Sequence, residues 1–327
     1  MNLDNLDKDT KLPNFIIVGA AKSGTTSLYN YLDEHPDVYM SPIKEPNHFS
    51  SDIEPEKFNK AFKKHEREKR IDLDEYLNGN MDNKLWGDYV QKWEQYRKLF
   101  KNVKHEKAIG EVSNSYLFSQ VAAKNIIEKL PQVKIIMMLR NPMERAFSHY
   151  LANMRDGKTI KNFREEVESN YTLETREWGK KYLYIELGMY YQQVKRYLDV
   201  FPRENIKIYF YDDYKKDLML LVKDLFRFIG VNPNITIDFS KKYNESKIPK
   251  NKYFNFIISK SGIKKSAIKL FPLEYREKIK SIFFTNEKKP KLSVEDKKFL
   301  LGIYREDIKN LSHVMNRDLH TWLEITK

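Results

Sequence analysis

The chain has 327 residues, of which 41% are hydrophobic and 13% aromatic, so it contains enough apolar material to bury a substantial core and does not have the composition of a disordered protein. It contains no cysteine, which excludes disulfide bonds, thiolate catalysis and Cys-ligated metal sites. The 59 Lys and Arg residues outnumber the 46 Asp and Glu residues by 13, and we expect the resulting positive surface to attract anions such as nucleic acid, anionic glycans or phosphorylated cofactors.

The hydropathy of the chain argues against a membrane-spanning protein. No apolar run approaches the ~20 residues that cross a bilayer. The first twelve residues are polar and of mixed charge, unlike a secretory signal. We therefore expect a cytoplasmic protein without a transmembrane segment, and a reducing compartment fits the lack of cysteine.

Short apolar runs alternate with helical patterns from the start of the chain. The run 15–18 stops at Gly19, and a helical pattern then extends to the His35-Pro36 pair. This order predicts a strand, a tight glycine turn and a helix. A short extended stretch over 38–40 is the next predicted sheet element.

The middle of the chain adds further strands after an interruption. Residues 50–107 are polar, charged and irregular, which predicts an insertion with one helix from 93 to 100. A strand is predicted at 108–112. The almost wholly apolar run 134–139 is typical of a strand that is covered on both faces, and a helix over 143–154 follows it.

The order of elements then inverts. A helix is predicted over 189–201, a turn over 202–205 and a strand over 206–211. The last third is mostly helical, with Ser293 as the N-cap of a helix over 294–309. Strands that alternate with helices predict a P-loop-like, doubly wound α/β fold, with a mainly parallel sheet flanked by helices and a helical C-terminal part.

The most informative stretch is GAAKSGTT at 19–26, between the first strand and its helix. Unpaired N–H groups and the helix dipole favour an anion there, and Gly19 and Gly24 allow a close backbone approach. The stretch nearly matches the G-x-x-x-x-G-K-[ST] pattern of nucleotide-binding loops, but Thr25 occupies the lysine position and Lys22 lies three positions earlier. This predicts a 5′-phosphate cradle without a metal; a glycine-rich turn with an ordinary surface lysine is the alternative.

A second anion contact is predicted where the strand over 134–139 ends. Arg140 follows the last apolar residue, at the edge where open α/β sheets bind ligands. Ser148 lies about two helical turns further on. A guanidinium offers a fork of donors to a phosphate, and a hydroxyl can add another. Taken alone, however, Arg140 also fits a structural ion pair.

These segments resemble those of a known enzyme family. The segment FIIVGAAKSGTTSLYNYLDEHP is similar to the 5′-phosphosulfate-binding segment of sulfotransferases that use 3′-phosphoadenosine 5′-phosphosulfate (PAPS), in particular the bacterial and heparan-sulfate-type branches. The segment MMLRNPMERAFSHY is similar to the 3′-phosphate-binding segment of the same family. The resemblance covers most of residues 12–323 in the order of the family.

The resemblance implies a role for each of these residues. Lys22 would contact the bridging and sulfonyl oxygens of PAPS, where fixed donors lower the barrier by stabilising the charge on the leaving oxygen. Arg140 and Ser148 would bind the 3′-phosphate. The 5′-phosphate would bind the backbone N–H and hydroxyl groups of five residues, namely Ser23, Gly24, Thr25, Thr26 and Ser27.

A candidate base lies in SPIKEPNHF at 41–49, which resembles a Lys-Glu-Pro-x-x-Phe stretch whose glutamate is the general base of heparan-sulfate-type and bacterial sulfotransferases. This assigns the base role to Glu45, because a hydroxyl gains nucleophilicity when a carboxylate takes its proton. His48 is a second candidate. Two alternatives stay open: Glu45 also suits a charge at a helix N-terminus before Pro46, and His48 also suits a structural histidine.

One segment departs from the pattern of the family. Heparan-sulfate enzymes often carry a lysine after the glutamate of the segment that matches IGEVSNSYL. Here Val112 follows Glu111, which puts the role of that second lysine in doubt. Ser113 or Asn114 would then only line the pocket.

Further segments complete the predicted domain. In the loop over 243–254, Lys247, Lys250 and Lys252 would cover the nucleotide or, equally, form a solvated lysine cluster. No repeat or linker requires a second domain, so we predict one domain over 1-327. Its four parts are a 5′-phosphosulfate-binding unit at 12-50, an insertion at 50-107, a sheet core with the 3′-phosphate-binding segment at 108-235, and a nucleotide-covering loop with C-terminal helices at 236-327.

Together these observations predict a PAPS-dependent sulfotransferase that transfers the sulfonyl group directly, in line, to an acceptor hydroxyl and releases 3′,5′-ADP. The expected acceptor is a carbohydrate or glycan, or a small molecule; nucleic acid is not an expected partner, and no metal is expected. Two alternatives are a nucleotide kinase or NTPase with a degenerate P-loop and a non-enzymatic polyanion-binding protein. The sequence gives no indication of the oligomeric state.

Overall fold

A computed structural model describes residues 11–67, 71–171, 177–240, 248–261, 284–285 and 290–325. The packing of the chain divides it into two units. The first unit comprises Met1–Arg140, Glu177–Lys181 and Tyr190–Tyr243, and the second comprises Asn141–Arg176, Tyr182–Met189 and Asn244–Lys327. The four-part division of one domain over 1-327 stays a prediction.

The first unit is built on a five-stranded parallel sheet, which confirms the predicted α/β class. Every residue of two adjacent inner strands, β1 (Phe15–Gly19) and β5 (Ala108–Val112), is buried, as expected for strands between layers of helices. In order across the sheet, the strands are β2 (Val38–Met40), β5 (Ala108–Val112), β1 (Phe15–Gly19), β6 (Lys134–Leu139) and β7 (Ile206–Phe210).

Nine described α-helices and a small second sheet surround these strands within the first unit. The small sheet pairs β3 (Ile43–Lys44) with β4 (Leu85–Trp86) in parallel. The helices are α1 (Thr25–Asp33), α2 (Lys60–Arg67), α3 (Leu73–Asn78), α4 (Trp93–Lys98), α5 (Ser115–Phe118), α6 (Ala122–Lys129), α9 (Tyr190–Leu198), α10 (Tyr211–Lys216) and α11 (Leu218–Ile229).

The core of the first unit joins α1 and α11 to the sheet. Phe15, Leu28, Ile136 and Leu225 are fully buried in one cluster. Burial of each such side chain contributes roughly 1.5–3 kcal/mol to folding. This packing fixes the edge of the sheet from which the site residues extend.

The predicted insertion over 50–107 is more ordered than its polar sequence suggests. It contains α2, α3, β4 and α4, and it buries Val90, Tyr96 and Phe100 almost completely. Its apolar residues stand singly or in pairs among polar and charged ones, so they form no extended period that sequence reading detects. The strand β4 and the residues 87–90 that follow it form hydrogen bonds with the segment at 44–47, which contains Glu45.

The second unit is mainly helical in its described part. Its helices are α7 (Pro142–Arg155), α8 (Phe163–Tyr171), α12 (Lys252–Ser261) and α13 (Val294–Met315), and its two short antiparallel strands are β8 (Ile248–Pro249) and β9 (Phe284–Thr285). The Oγ of Ser293 accepts the N–H of Asp296 at 3.0 Å, which confirms the predicted N-cap. The helix continues past 309 to Met315 because no breaker intervenes before Asn316, which ends it at φ 49°.

Tyrosine contacts hold the segment at 182–189 within the second unit. The hydroxyl of Tyr304 donates to the carbonyls of Tyr184 and Ile185 at 3.2 and 3.0 Å. The buried guanidinium of Arg145 also donates to the carbonyl of Tyr184.

Across the described ranges, no helix combines the length and the apolar character that crossing a bilayer requires.

Candidate active site

The site lies where the parallel strands of the first unit end. Lys22 and its turn follow β1, Asn114 follows β5, Arg140 follows β6 and Tyr211 follows β7. In open α/β sheets, ligands bind at this edge. They bind in particular at the switch point, where successive strands begin to be added on the opposite side of the first strand. Here that strand is β1, because β5 and β2 lie on one side of it and β6 and β7 on the other.

The turn after β1 has the backbone of an anion cradle. Lys22 has φ 68° and Gly24 has φ 97°, so both lie in the left-handed region. Turns of this kind direct successive N–H groups into one concavity. No side chain caps the start of α1, and within the described chain the buried Oγ of Ser23 has no hydrogen-bond partner. Such donors are suited to an anionic group.

The hydroxyls that follow in α1 differ in their partners. The Thr25 hydroxyl donates to Oδ1 of Asn114 at 3.0 Å. A hydroxyl has one proton to donate, so in this arrangement only the backbone N–H of Thr25 can donate to a phosphate. Thr26 and Ser27 also lie in the first turn of α1, and the phosphate contacts predicted for both residues stay predictions.

Arg140 lies against this turn. Its Nη1 donates to the carbonyl oxygen of Lys22 at 3.4 Å, and its guanidinium carbon is 4.6 Å from the ring centroid of Tyr211. The same tyrosine ring packs against Gly24, where an added Cβ would be 3.3 Å from Cε2. Sequence reasoning assigned no role to Tyr211. Ser148 lies on α7 in the second unit, and its contact with a 3′-phosphate stays a prediction.

Glu45 lies directly after β3 with its carboxylate held by two donors. Its Oε1 accepts hydrogen bonds from Nζ of Lys44 at 2.7 Å and from Nδ2 of Asn114 at 2.6 Å. The side chain of Lys44 is 3% exposed, whereas that of Glu45 is 29% exposed, so the carboxylate is partly accessible to solvent. No helix begins at Pro46, which excludes the helix-terminus alternative for this glutamate.

Asn114 joins the candidate base to the phosphate turn. Its amide oxygen accepts from Thr25 and its amide nitrogen donates to Glu45, so three side chains from separate parts of the sequence form one hydrogen-bonded chain. Sequence reasoning allowed Asn114 only to line the pocket. The available signal was its place, directly after a buried strand at the binding edge of the sheet.

The environment of His48 favours the structural alternative over a second base. Its Nδ1 is 2.7 Å from the carbonyl oxygen of Val90, and its ring stacks on Tyr96 with centroids 4.5 Å apart. Burial lowers its pKa, which favours the neutral ring. A neutral ring that donates from Nδ1 to a carbonyl is part of the local packing.

A second glutamate, Glu111, is linked by hydrogen bonds to the turn that contains the candidate base. Glu111 is fully buried and accepts the hydroxyls of Tyr96 and Tyr116 at 2.9 Å each and that of Ser113 at 2.8 Å. Burial raises its pKa to about 7, although these donors oppose the rise. The Ser113 oxygen in turn accepts the N–H of Asn47 at 3.2 Å, which links Glu111 to the turn that contains Glu45.

The three lysines of the predicted nucleotide-covering loop do not belong to the described part of the first unit. Lys247 lies outside the described residues, whereas Lys250 and Lys252 belong to the second unit, so the nucleotide-covering role of their loop stays a prediction. Within the described ranges, no three His, Asp or Glu side chains are grouped as metal ligands would be.

Comparisons with known proteins give consistent matches. A family model described as "Sulfotransferase family" matches residues 13–234. The solved structure of a sulfotransferase from Alicyclobacillus acidocaldarius is 30% identical with a TM-score of 0.68, and the match covers 96% of this chain and 100% of that one.

Two mouse (Mus musculus) proteins match at lower identity. Carbohydrate sulfotransferase 15 is 25% identical over 270 residues, which cover 68% of this chain and 44% of the relative. Bifunctional heparan sulfate N-deacetylase/N-sulfotransferase 4 is 23% identical over 320 residues, which cover 95% of this chain and 31% of the relative. The chain thus spans less than half the length of these two relatives.

Proposed function

Since this chain belongs to the sulfotransferase family, we propose that it transfers the sulfonyl group of PAPS to an acceptor hydroxyl. One observation carries the proposal: Glu45 is joined through Asn114 to Thr25 of the phosphate turn. This chain of contacts brings a partly exposed carboxylate next to a backbone suited to an anion. A proton acceptor and an anion site in one place are what sulfonyl transfer requires.

On this proposal, each end of the donor has its own residues. The N–H groups of the turn hold the 5′-phosphate, and Lys22 contacts the bridging and sulfonyl oxygens. Arg140 holds the 3′-phosphate. The contact between the Arg140 guanidinium and the Lys22 carbonyl supports this assignment, because it keeps a fork of donors next to the turn.

The proposed reaction is a direct displacement at sulfur. Glu45 takes the proton of the acceptor hydroxyl as the acceptor oxygen bonds to sulfur. The bond between sulfur and the bridging oxygen breaks, and its electron pair leaves with 3′,5′-ADP. Lys22 and the N–H groups of the turn stabilise the charge that develops on that leaving oxygen.

We propose a carbohydrate hydroxyl as the acceptor. The names of two mouse relatives, a carbohydrate sulfotransferase and a heparan sulfate N-sulfotransferase, support a carbohydrate acceptor, although the second name indicates transfer to nitrogen and so does not support the hydroxyl. A carbohydrate acceptor is also supported by Trp86 of β4, which is 49% exposed and whose ring centroid is 5.6 Å from the Lys44 ammonium that contacts Glu45. An exposed aromatic ring next to the base suits the apolar face of a sugar, and the positive net charge favours an acidic glycan.

Replacement of the base tests the proposed function. We expect Glu45→Gln to keep its affinity for 3′,5′-ADP, because the substitution leaves the turn intact, and to lose about 100-fold or more in transfer rate, because it removes the proton acceptor. Transfer is followed with ³⁵S-labelled PAPS and heparosan, chondroitin or lysate fractions of the source cells as acceptors, and affinity is measured by calorimetry.

The exposed Glu56→Gln, in the same unit but away from the strand ends, is the matched control and should retain wild-type values. Wild-type turnover in Glu45→Gln would show that Glu45 is not the base. Absence of both sulfonyl transfer and 3′,5′-ADP binding in the unsubstituted chain would refute the proposed function.

A further inference from the structure

We propose that Asn114 is a positioning residue for the transfer reaction, which orients the Glu45 carboxylate relative to the phosphate turn. The inference rests on the proposed function and adds a residue to its machinery. Asn114 is the second residue after the buried strand β5. Asn114 does not touch the reacting atoms on this proposal; it acts through Glu45.

The two ends of one amide group make the connection. Nδ2 of Asn114 donates to Oε1 of Glu45 at 2.6 Å, and Oδ1 accepts from the Thr25 hydroxyl at 3.0 Å. The amide has donors on one side and an acceptor on the other, so a flip would turn its oxygen toward the carboxylate oxygen. Its orientation is therefore determined by the partners at both ends.

The backbone around Asn114 is held from both sides. The N–H of Ser113 donates to the carbonyl of Ile17 in β1 at 3.0 Å, and the hydroxyl of Ser115 donates to Oδ1 of Asn47 at 2.6 Å. Both serines are fully buried. These contacts hold the short turn between β5 and α5 that contains Asn114, and such support fixes the geometry of a functional side chain.

Glu45 itself needs an external support of this kind. It has φ 64°, in a region that residues other than glycine rarely adopt, and its backbone N–H donates to the carbonyl of Val112 at 2.7 Å. The adjacent Lys44 ammonium donates to the same oxygen, Oε1, but a single ammonium contact does not set the plane of a carboxylate. With the planar Asn114 amide as a second donor, the carboxylate has a defined direction.

A double-mutant cycle distinguishes this role from a merely structural one. The rate of 3′,5′-ADP formation from PAPS is measured with heparosan and chondroitin present, so that transfer to either glycan or to water is counted. We expect Asn114→Ala to lower kcat about 10-fold in the wild-type background and to change kcat less than about two-fold in the Glu45→Gln background. The KM for PAPS and the Kd for 3′,5′-ADP should stay within about two-fold of wild type.

Two further variants complete the test. Asn125 also bridges two groups, the carbonyl of Phe49 and the hydroxyl of Ser51, but it does not contact Glu45, so Asn125→Ala should keep the wild-type kcat. Thr25→Val removes the hydroxyl at the far end of the chain with little change in volume. It should lower kcat in the wild-type background only, and it keeps the test decisive if Asn114→Ala folds poorly.

Each outcome has one consequence. Equal losses of kcat in the wild-type and Glu45→Gln backgrounds, for whichever variant folds, overturn the positioning role and leave the proposed function standing. A wild-type chain that neither binds 3′,5′-ADP nor releases it from PAPS overturns both.

Discussion

Glu45 and Glu111 lie in the same region of the first unit, but their carboxylates differ in exposure and in hydrogen-bond partners. Glu45 is partly exposed and contacts a lysine and an amide, so it can meet an acceptor hydroxyl. Glu111 is wholly enclosed by Tyr96, Tyr116 and Ser113. The hydrogen bonds of Glu111 therefore stabilise the packing next to the proposed base, Glu45.

The raised pKa of Glu111 predicts how stability depends on pH. Its value in the folded chain is about 7, against 4.5 ordinarily, because burial disfavours the charged form. Between about pH 4.5 and about pH 7 the folded chain therefore binds more protons than the unfolded chain, so stability falls as pH rises, by up to about 3 kcal/mol. Urea denaturation across this window should show a smaller loss in Glu111→Gln than in the wild type.

The exposed Glu75→Gln is the control and should follow the wild-type pH dependence. If Glu111→Gln and the wild type lose the same stability over this window, the carboxyl is not the group that titrates.

The sequence predicted Lys22 and Arg140 as site residues from their type and their position after a strand. The structure brings these two residues together. Sequence reasoning did not identify Asn114 as a partner of Glu45 or Tyr211 as a partner of Arg140. These contacts join side chains that are distant in sequence, and neither residue type indicates a function by itself. Only the order of strands in the sheet makes them neighbours.

Among the elements, the turn between β1 and α1 depends on the conformational freedom of Gly24. Gly24 has φ 97°, and a Cβ there would approach the Tyr211 ring to 3.3 Å. We expect Gly24→Ala to lower stability by roughly 1–2 kcal/mol and to weaken 3′,5′-ADP binding, because the turn must distort to accept a side chain. Denaturation and calorimetry measure the two effects.

Gly302 of α13 provides the matched control, since nothing lies within 4 Å of its Cβ position. Gly302→Ala should stabilise the chain by roughly 0.5–1 kcal/mol without any change in nucleotide binding. A Gly24→Ala variant with wild-type affinity for 3′,5′-ADP would contradict the role of the turn.

The five strands of the parallel sheet could all be predicted, at 15–18, 38–40, 108–112, 134–139 and 206–211. The run at 15–18 is continuously apolar and the run at 134–139 almost wholly so, because burial on both faces requires such runs in a parallel sheet. The strand β4 could not be predicted. It has two residues, and its pairing with β3 depends on where the preceding helices direct the chain.

At the scale of the whole molecule, the excess of 13 positive charges does not itself specify a ligand. A polyanion-binding protein would bind through this charge, with steep salt dependence and no preference for a 3′-phosphate. A kinase or NTPase would prefer ATP with Mg²⁺. A PAPS site differs from both, because it recognises phosphate at both ends of the ribose.

Calorimetric titration of the chain with 3′,5′-ADP, 5′-AMP and ATP with Mg²⁺ tests this distinction most directly. We predict that 3′,5′-ADP binds at least about 10-fold more tightly than either of the others. We also predict that Arg140→Ala abolishes the advantage over 5′-AMP, because the 3′-phosphate loses its forked donor. Equal affinity for 3′,5′-ADP and 5′-AMP in the wild-type chain, or tighter binding of ATP with Mg²⁺, would contradict a PAPS site.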